Sequence, residues 1–203
     1  QTGNITIDGD LNSRSFARLN SGQAGTVTLI AENGAVFAQN VFAHSEATQD
    51  SAGMAGDIVV DSTNFTATGT LRANVSTNGN NAGRGGDITI ESETVDISGG
   101  LNTISQGNSE TQNGGDITIT AKDRIDIEGD IIAFSTTYGG ANSGNGGNVV
   151  LTSNQIVTGS IGTQASASVW TPIYNGGNAG NAGNVTLQEY SNDPNINTSI
   201  QTN

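Results

Sequence analysis

A chain of 203 residues with 19 acidic and six basic side chains carries a net charge of −13, which argues against phosphate binding by counterion release and so against a nucleic-acid partner. Leu, Ile, Val and Phe make up only about a fifth of it, close to the composition of disordered chains, whose scattered apolar side chains bury no core. There is no cysteine, hence no disulfide framework or thiolate metal site, and no apolar run approaches the roughly 18 residues of a membrane span.

Placement rescues the composition. The chain opens with Asn4-Ile5-Thr6-Ile7-Asp8-Gly9-Asp10-Leu11, an alternating stretch that returns as Ile125 to Ile131. Next comes Ala24-Gly25-Thr26-Val27-Thr28-Leu29, a small-residue pair feeding apolar/polar alternation. The pattern recurs at Ala55-Gly56-Asp57-Ile58, Gly85-Gly86-Asp87-Ile88, Gly114-Gly115-Asp116-Ile117, Gly146-Gly147-Asn148-Val149 and Ala182-Gly183-Asn184-Val185. A second column fixes the period: Leu11, Val41, Leu71, Leu101, Ile131 and Ile161 stand 30 residues apart. Four residues before these anchors lie Ile7, Phe37, Ala67, Ile97, Ile127 and Val157; two before lie Gly9, Gln39, Gly69, Gly99, Gly129 and Gly159. The glycines suit a corner turned with positive φ, and Gln39 breaks their column.

Each repeat therefore reads as three short strands of period two, such as Ile117 to Thr120, Arg124 to Ile127 and Asp130 to Phe134, followed by a polar loop. The loops are Ser45 to Met54, Thr77 to Arg84, Gly107 to Asn113, Thr137 to Asn145 and Ser166 to Asn181. No segment has a 3.6-residue period, which rules out a helical solenoid, and a propeller blade wants four strands in about 40 to 45 residues. The expectation is one all-β domain over residues 1–203, a parallel β-helix with three strands per coil, a repeat of about 30 residues and about six to seven coils. Such coils stack at about 4.8 Å and give a rod roughly 30 Å long. The first strand is partial and no capping helix follows the last, which suggests a window of a longer array or a subunit that stacks end to end.

The Gly-Gly-Asp-Ile-Thr-Ile units, with Val95-Asp96-Ile97-Ser98-Gly99-Gly100-Leu101 and the Asn/Gly/Ser-rich loops, resemble the repeats of filamentous haemagglutinin-like exoproteins of the cyanobacterial type. The resemblance implies a right-handed β-helix, export by two-partner secretion and a place at the cell surface as adhesin or fibre. It brings no catalytic motif, and the family's secretion domain is not in this sequence.

Four features bear on chemistry. Asp57, Asp87 and Asp116 begin equivalent strands; in register their carboxylates lie about 4.8 Å apart, where a Ca²⁺ ion would relieve their repulsion or nearby backbone would satisfy them. No other cofactor is expected. The outward file Thr28, Val59, Thr89, Thr118, Val150 and Thr186 reads as ordinary β-branched strand surface or as an interrupted ice-binding ladder. Trp170 and Tyr174, in the longest loop, offer a platform on which a glycan ring would stack, or cover the side of the rod. His44, the only histidine, has no evident Ser/Asp partner, and Arg72, Arg84, Lys122 and Arg124 read as solvated surface. The five glycosylation sequons carry no weight in so Asn-rich a chain. The expected function is a secreted, acidic, non-enzymatic shaft that projects loops toward cell-surface or matrix glycans and self-associates through its ends. The alternatives are a polysaccharide-binding or polysaccharide-acting β-helix and an ice-binding surface.

Overall fold

The structure is a computed structural model that describes residues 3–139, 141–168 and 177–188. Among these residues every regular element is a strand, and strands equivalent in the repeat pair in parallel to form a β-solenoid of about five turns with the expected spacing of roughly 30 residues. No helix of the described residues is long and apolar enough to cross a membrane.

Two sheets run the length of the stack. The first contains Val27–Ala38, Ile58–Ala67, Ile88–Ile97 and Ile117–Ile127, so in these four repeats the first two expected strands are one long strand, while in the next they stay separate as Val149–Thr152 and Ile156–Thr158. The expected boundary between them survives as a break in register, between Ala31 and Ala35 and again between Ala121 and Arg124. Glu32 to Gly34 on one strand face the single residue Thr63 on the next, a bulge that bends the strand without ending it. The second sheet contains Leu11–Ala17, Val41–Ala47 and the strand pairs that follow them. All six anchors stack within it, from Leu11 opposite Val41 to Ile131 opposite Ile161.

Period-two alternation delivers the core between the sheets. Ile58, Ile88, Ile90, Ile117, Ile119 and Val149 are fully buried and lie in register on one another. Each such side chain stabilises the fold by about 1.5 to 3 kcal/mol relative to exposure. Val185 and Leu187, on the last described strand, are only partly buried.

One expected column is off by one residue. Ala38, not Phe37, faces Ala67, and Thr158, not Val157, faces Ile127. Because side chains alternate faces, the slip turns Phe37 and Val157 outward, where they are 43% and 41% exposed. Two residues join Ala38 to Val41, whereas three join Ala67 to Leu71, so Gln39 falls in a shorter turn; the equally short turn from Thr158 to Ile161 keeps a glycine at Gly159.

Positive φ is not what the glycines provide, since none at these turns has a φ between +20° and +160°. Except at Gly9, where a Cβ would meet nothing within 4 Å, they are required by proximity. A Cβ on Gly99 would lie 2.3 Å from the Gly69 carbonyl oxygen. At the strand entrances a Cβ on Gly86, Gly115, Gly147 or Gly183 would lie 1.9 Å from the equivalent carbonyl oxygen one coil back.

The polar tracts are not free loops either. Ser45–Ala47 belongs to strand Val41–Ala47, and Ala82 bridges both Ala52 and Thr111. Coil-to-coil bonds such as Ala52 N–H to Asn81 O (2.9 Å) and Ala82 N–H to Glu110 O (2.9 Å) stack the tracts as a third wall. Beneath it Ala47, Ala52, Ala55, Val75 and Ala82 form a small second core, which their short side chains allow the wall to approach.

Candidate functional site

The acidic file at the strand entrances forms one continuous ladder. The Asp57 Oδ1 accepts the Asp87 N–H at 2.8 Å, Asp87 Oδ1 accepts the Asp116 N–H at 2.8 Å, and Asp116 Oδ1 accepts the Asn148 N–H at 2.7 Å. Asn148 hands the same bond to Asn184 at 2.9 Å. Each side chain thus reaches forward one coil and satisfies an amide that the strand ladder leaves unpaired. Arg84 adds the positive charge: its guanidinium grips both carboxylate oxygens of Asp87 and approaches Asp116 at 3.8 Å. The hydrogen bond to Asp87 raises the Arg84 pKa above its usual value, with the charges of Asp87, Asp116 and Asp57 adding to it.

Asp57, Asp87 and Asp116 are therefore brought together as expected, but as hydrogen-bond acceptors with a guanidinium among them. Among the described residues no three His, Asp or Glu side chains form a group that could hold a metal ion. With the carboxylates engaged in this way, the melting temperature is expected to be the same in EDTA and in excess Ca²⁺. Replacing Asp87 with alanine strands the Asp116 amide and removes the main partner of Arg84. On these partly exposed groups the cost is about 1 to 2 kcal/mol, read by urea denaturation, whereas Asp87→Asn keeps the acceptor oxygen and costs less.

The ladder extends further than the sequence pattern showed. Asn113 Oδ1 accepts the Asn145 N–H at 2.9 Å, Asn145 Oδ1 accepts the Asn181 N–H at 2.8 Å, and Asn74 Oδ1 accepts the Ile104 N–H at 2.9 Å. Hydroxyls do the same inside. Ser45, Ser105 and Ser135 donate to the carbonyls of Gly22, Gly83 and Gln112 at 2.7 to 2.8 Å, and Thr103 to that of Gly115 at 2.6 Å. These bonds tie the second sheet to the polar wall. Their signal in the sequence is the run of small and hydroxyl residues two and four places after the anchors, broken only at Val75.

The threonine file is in register, Thr28 to Val59 to Thr89 to Thr118 to Val150 to Thr186. Its neighbours on the same face are Ile30, Asp61, Glu91 and Thr120 rather than a second threonine file. His44 lies within strand Val41–Ala47, with its ring edge-on to Phe42 at 5.9 Å. Arg84, Lys122 and Arg124 are ion-paired rather than merely solvated. Trp170 and Tyr174 lie outside the described residues.

What these features define is an acidic β-solenoid held in register by its own surface side chains. Compared with protein-family models, with curated proteins and with solved structures, the chain finds no match.

Proposed function

We propose that this chain is a rigid segment of the shaft of a secreted bacterial surface protein, an adhesin or structural fibre of the filamentous haemagglutinin-like kind. The observation that supports the reading is the forward ladder of Asp and Asn side chains, which braces coil against coil along the outside while the anchors do so within. Such a stack resists bending because each coil is tied to its neighbours at the core, at both sheets and at the polar wall. Its acidic surface keeps the rods from associating sideways. Work on such a shaft is geometric: it holds whatever it carries at a fixed distance from the cell.

Two measurements test this. Negative-stain electron microscopy of the purified chain should show straight particles with a width set by one coil. Antibodies raised against the chain should label intact source cells without permeabilisation. Flexible, collapsed particles would remove the shaft, and labelling that requires permeabilised cells would remove the surface location.

A further inference from the structure

In a chain with 19 acidic residues, five of the six Lys and Arg side chains have a polar partner. Arg14 pairs with Glu46, Arg18 with Gln49, Arg84 with Asp87, Lys122 with Glu93 and Arg124 with Asp126. The Arg72 side chain has neither a hydrogen bond nor an ion pair among the described residues. It is exposed, and it stands on the outer face of the second sheet directly opposite Phe42.

The surroundings of Arg72 form a recess of about 510 Å³, within the range of small-molecule sites. Phe42 forms the floor beside His44, and Arg14 lies opposite His44 with its guanidinium 4.5 Å from the Phe16 ring centroid. Asn12, Asn74 and Ser76 line it with hydrogen-bonding groups, and two carboxylates, Asp10 and Glu46, stand at it as well. Asn74 spends its oxygen on the Ile104 N–H, which leaves its NH₂ to donate.

We propose that this recess binds one uronate residue of a glycan, with Arg72 gripping the carboxylate and Phe42 lying against the apolar face of the sugar ring. A guanidinium matches a carboxylate in a two-point hydrogen-bonded fork, and a partly exposed aromatic beside amides and hydroxyls suits a sugar. The overall charge of −13 sets the limit on the ligand. A densely sulfated chain would be repelled by the rest of the surface, whereas a single carboxylate on a neutral glycan can address Arg72, because Glu46 is already paired with Arg14 and Asp10 accepts from Asn40 Nδ2.

His44 reports on occupancy. Burial, then the charge of Arg14, and more weakly that of Arg72, lower its pKa, against the opposing effect of Glu46. The His44 ring is therefore neutral at neutral pH. A bound carboxylate favours the imidazolium, so binding takes up a proton and tightens as pH falls toward the ordinary imidazole pKa of about 6.5.

The site does not depend on the shaft reading, and the two fail separately. The test is saturation-transfer NMR and titration of the whole chain with glucuronic acid, its methyl ester, glucose and acetate. Glucuronic acid is expected to bind at least about tenfold more tightly than the other three, and more tightly at pH 6 than at pH 8. Arg72→Gln, at an exposed position, should lose that preference with an unchanged circular dichroism spectrum, while Lys122→Gln on the other sheet should keep it. Equal binding of the ester or of acetate overturns the proposal, as does full binding by Arg72→Gln. Tighter binding of heparin than of glucuronic acid would overturn the single-carboxylate assignment.

Discussion

Gly115→Val is expected to be the most damaging single substitution in the stack, leaving a chain that unfolds before any denaturant is added. The first atom of the new side chain would lie 1.9 Å from the Gly86 carbonyl oxygen, 2.5 Å from its carbon and 3.0 Å from the Gly85 oxygen. These are backbone atoms, which no rotamer change moves aside. Separating the coils there would also break the bonds that Gly115 makes to Thr103, its N–H at 3.0 Å and its carbonyl at 2.6 Å. The loss exceeds the roughly 4 to 5 kcal/mol that marks exceptional point mutations. Gly115→Ala is the measurable form, compared by urea denaturation with Gly22→Ala, whose Cβ would make ordinary contact with Ser15 at 3.7 Å. Equal midpoints for the two would show that coil spacing does not demand the glycine.

Ile117→Asp is expected to be nearly as severe, for a different reason. Ile117 has no exposed surface and is stacked between Ile88 and Val149, so the carboxylate would find neither water nor a partner. Burial of this depth raises an acid's pKa by up to about 3 to 5 units, or roughly 4 to 7 kcal/mol at neutral pH. The sign follows from linkage: a folded pKa above the unfolded value of about 3.9 costs nothing below that value and accumulates its penalty as pH rises. Relative to wild type, the variant should therefore recover on acidification toward pH 4. Thr118→Asn, one residue along on the outward face, should stay within about 0.5 kcal/mol of wild type. A variant equally destabilised at both pH values would mean that lost packing, rather than charge, carries the effect.

Both predictions fall where the sequence speaks most clearly. The anchors and the Gly-Gly-Asp units are legible because stacking demands the same residue type at the same place in every coil, so the physics repeats along with the chain. What stayed hidden is what changes from coil to coil. The shorter turn after Ala38 removes one residue and turns Phe37 outward, a local deletion that a fixed 30-residue ruler averages away. The polar tracts read as loops because their stacking uses backbone groups, which leave no side-chain signature. The Arg72 recess was illegible for a third reason: its members come from three successive coils, and only the register puts Arg14, His44 and Arg72 on one patch.

The side-chain ladder has a direction. In each step, from Asp57 to Asp87, Asp87 to Asp116, Asn113 to Asn145 and Asn74 to Ile104, the oxygen belongs to the earlier coil and the amide to the later one. A finished coil therefore offers the next a row of side-chain acceptors at fixed positions, while the later coil returns its backbone carbonyls, as Asp87 does to the Ile58 N–H and Asp116 to the Ile88 N–H, both at 2.9 Å. The side-chain half of this exchange runs from the N-terminal side toward the C-terminal side, the sense in which a polypeptide is synthesised, so that an emerging coil meets those acceptors already in place.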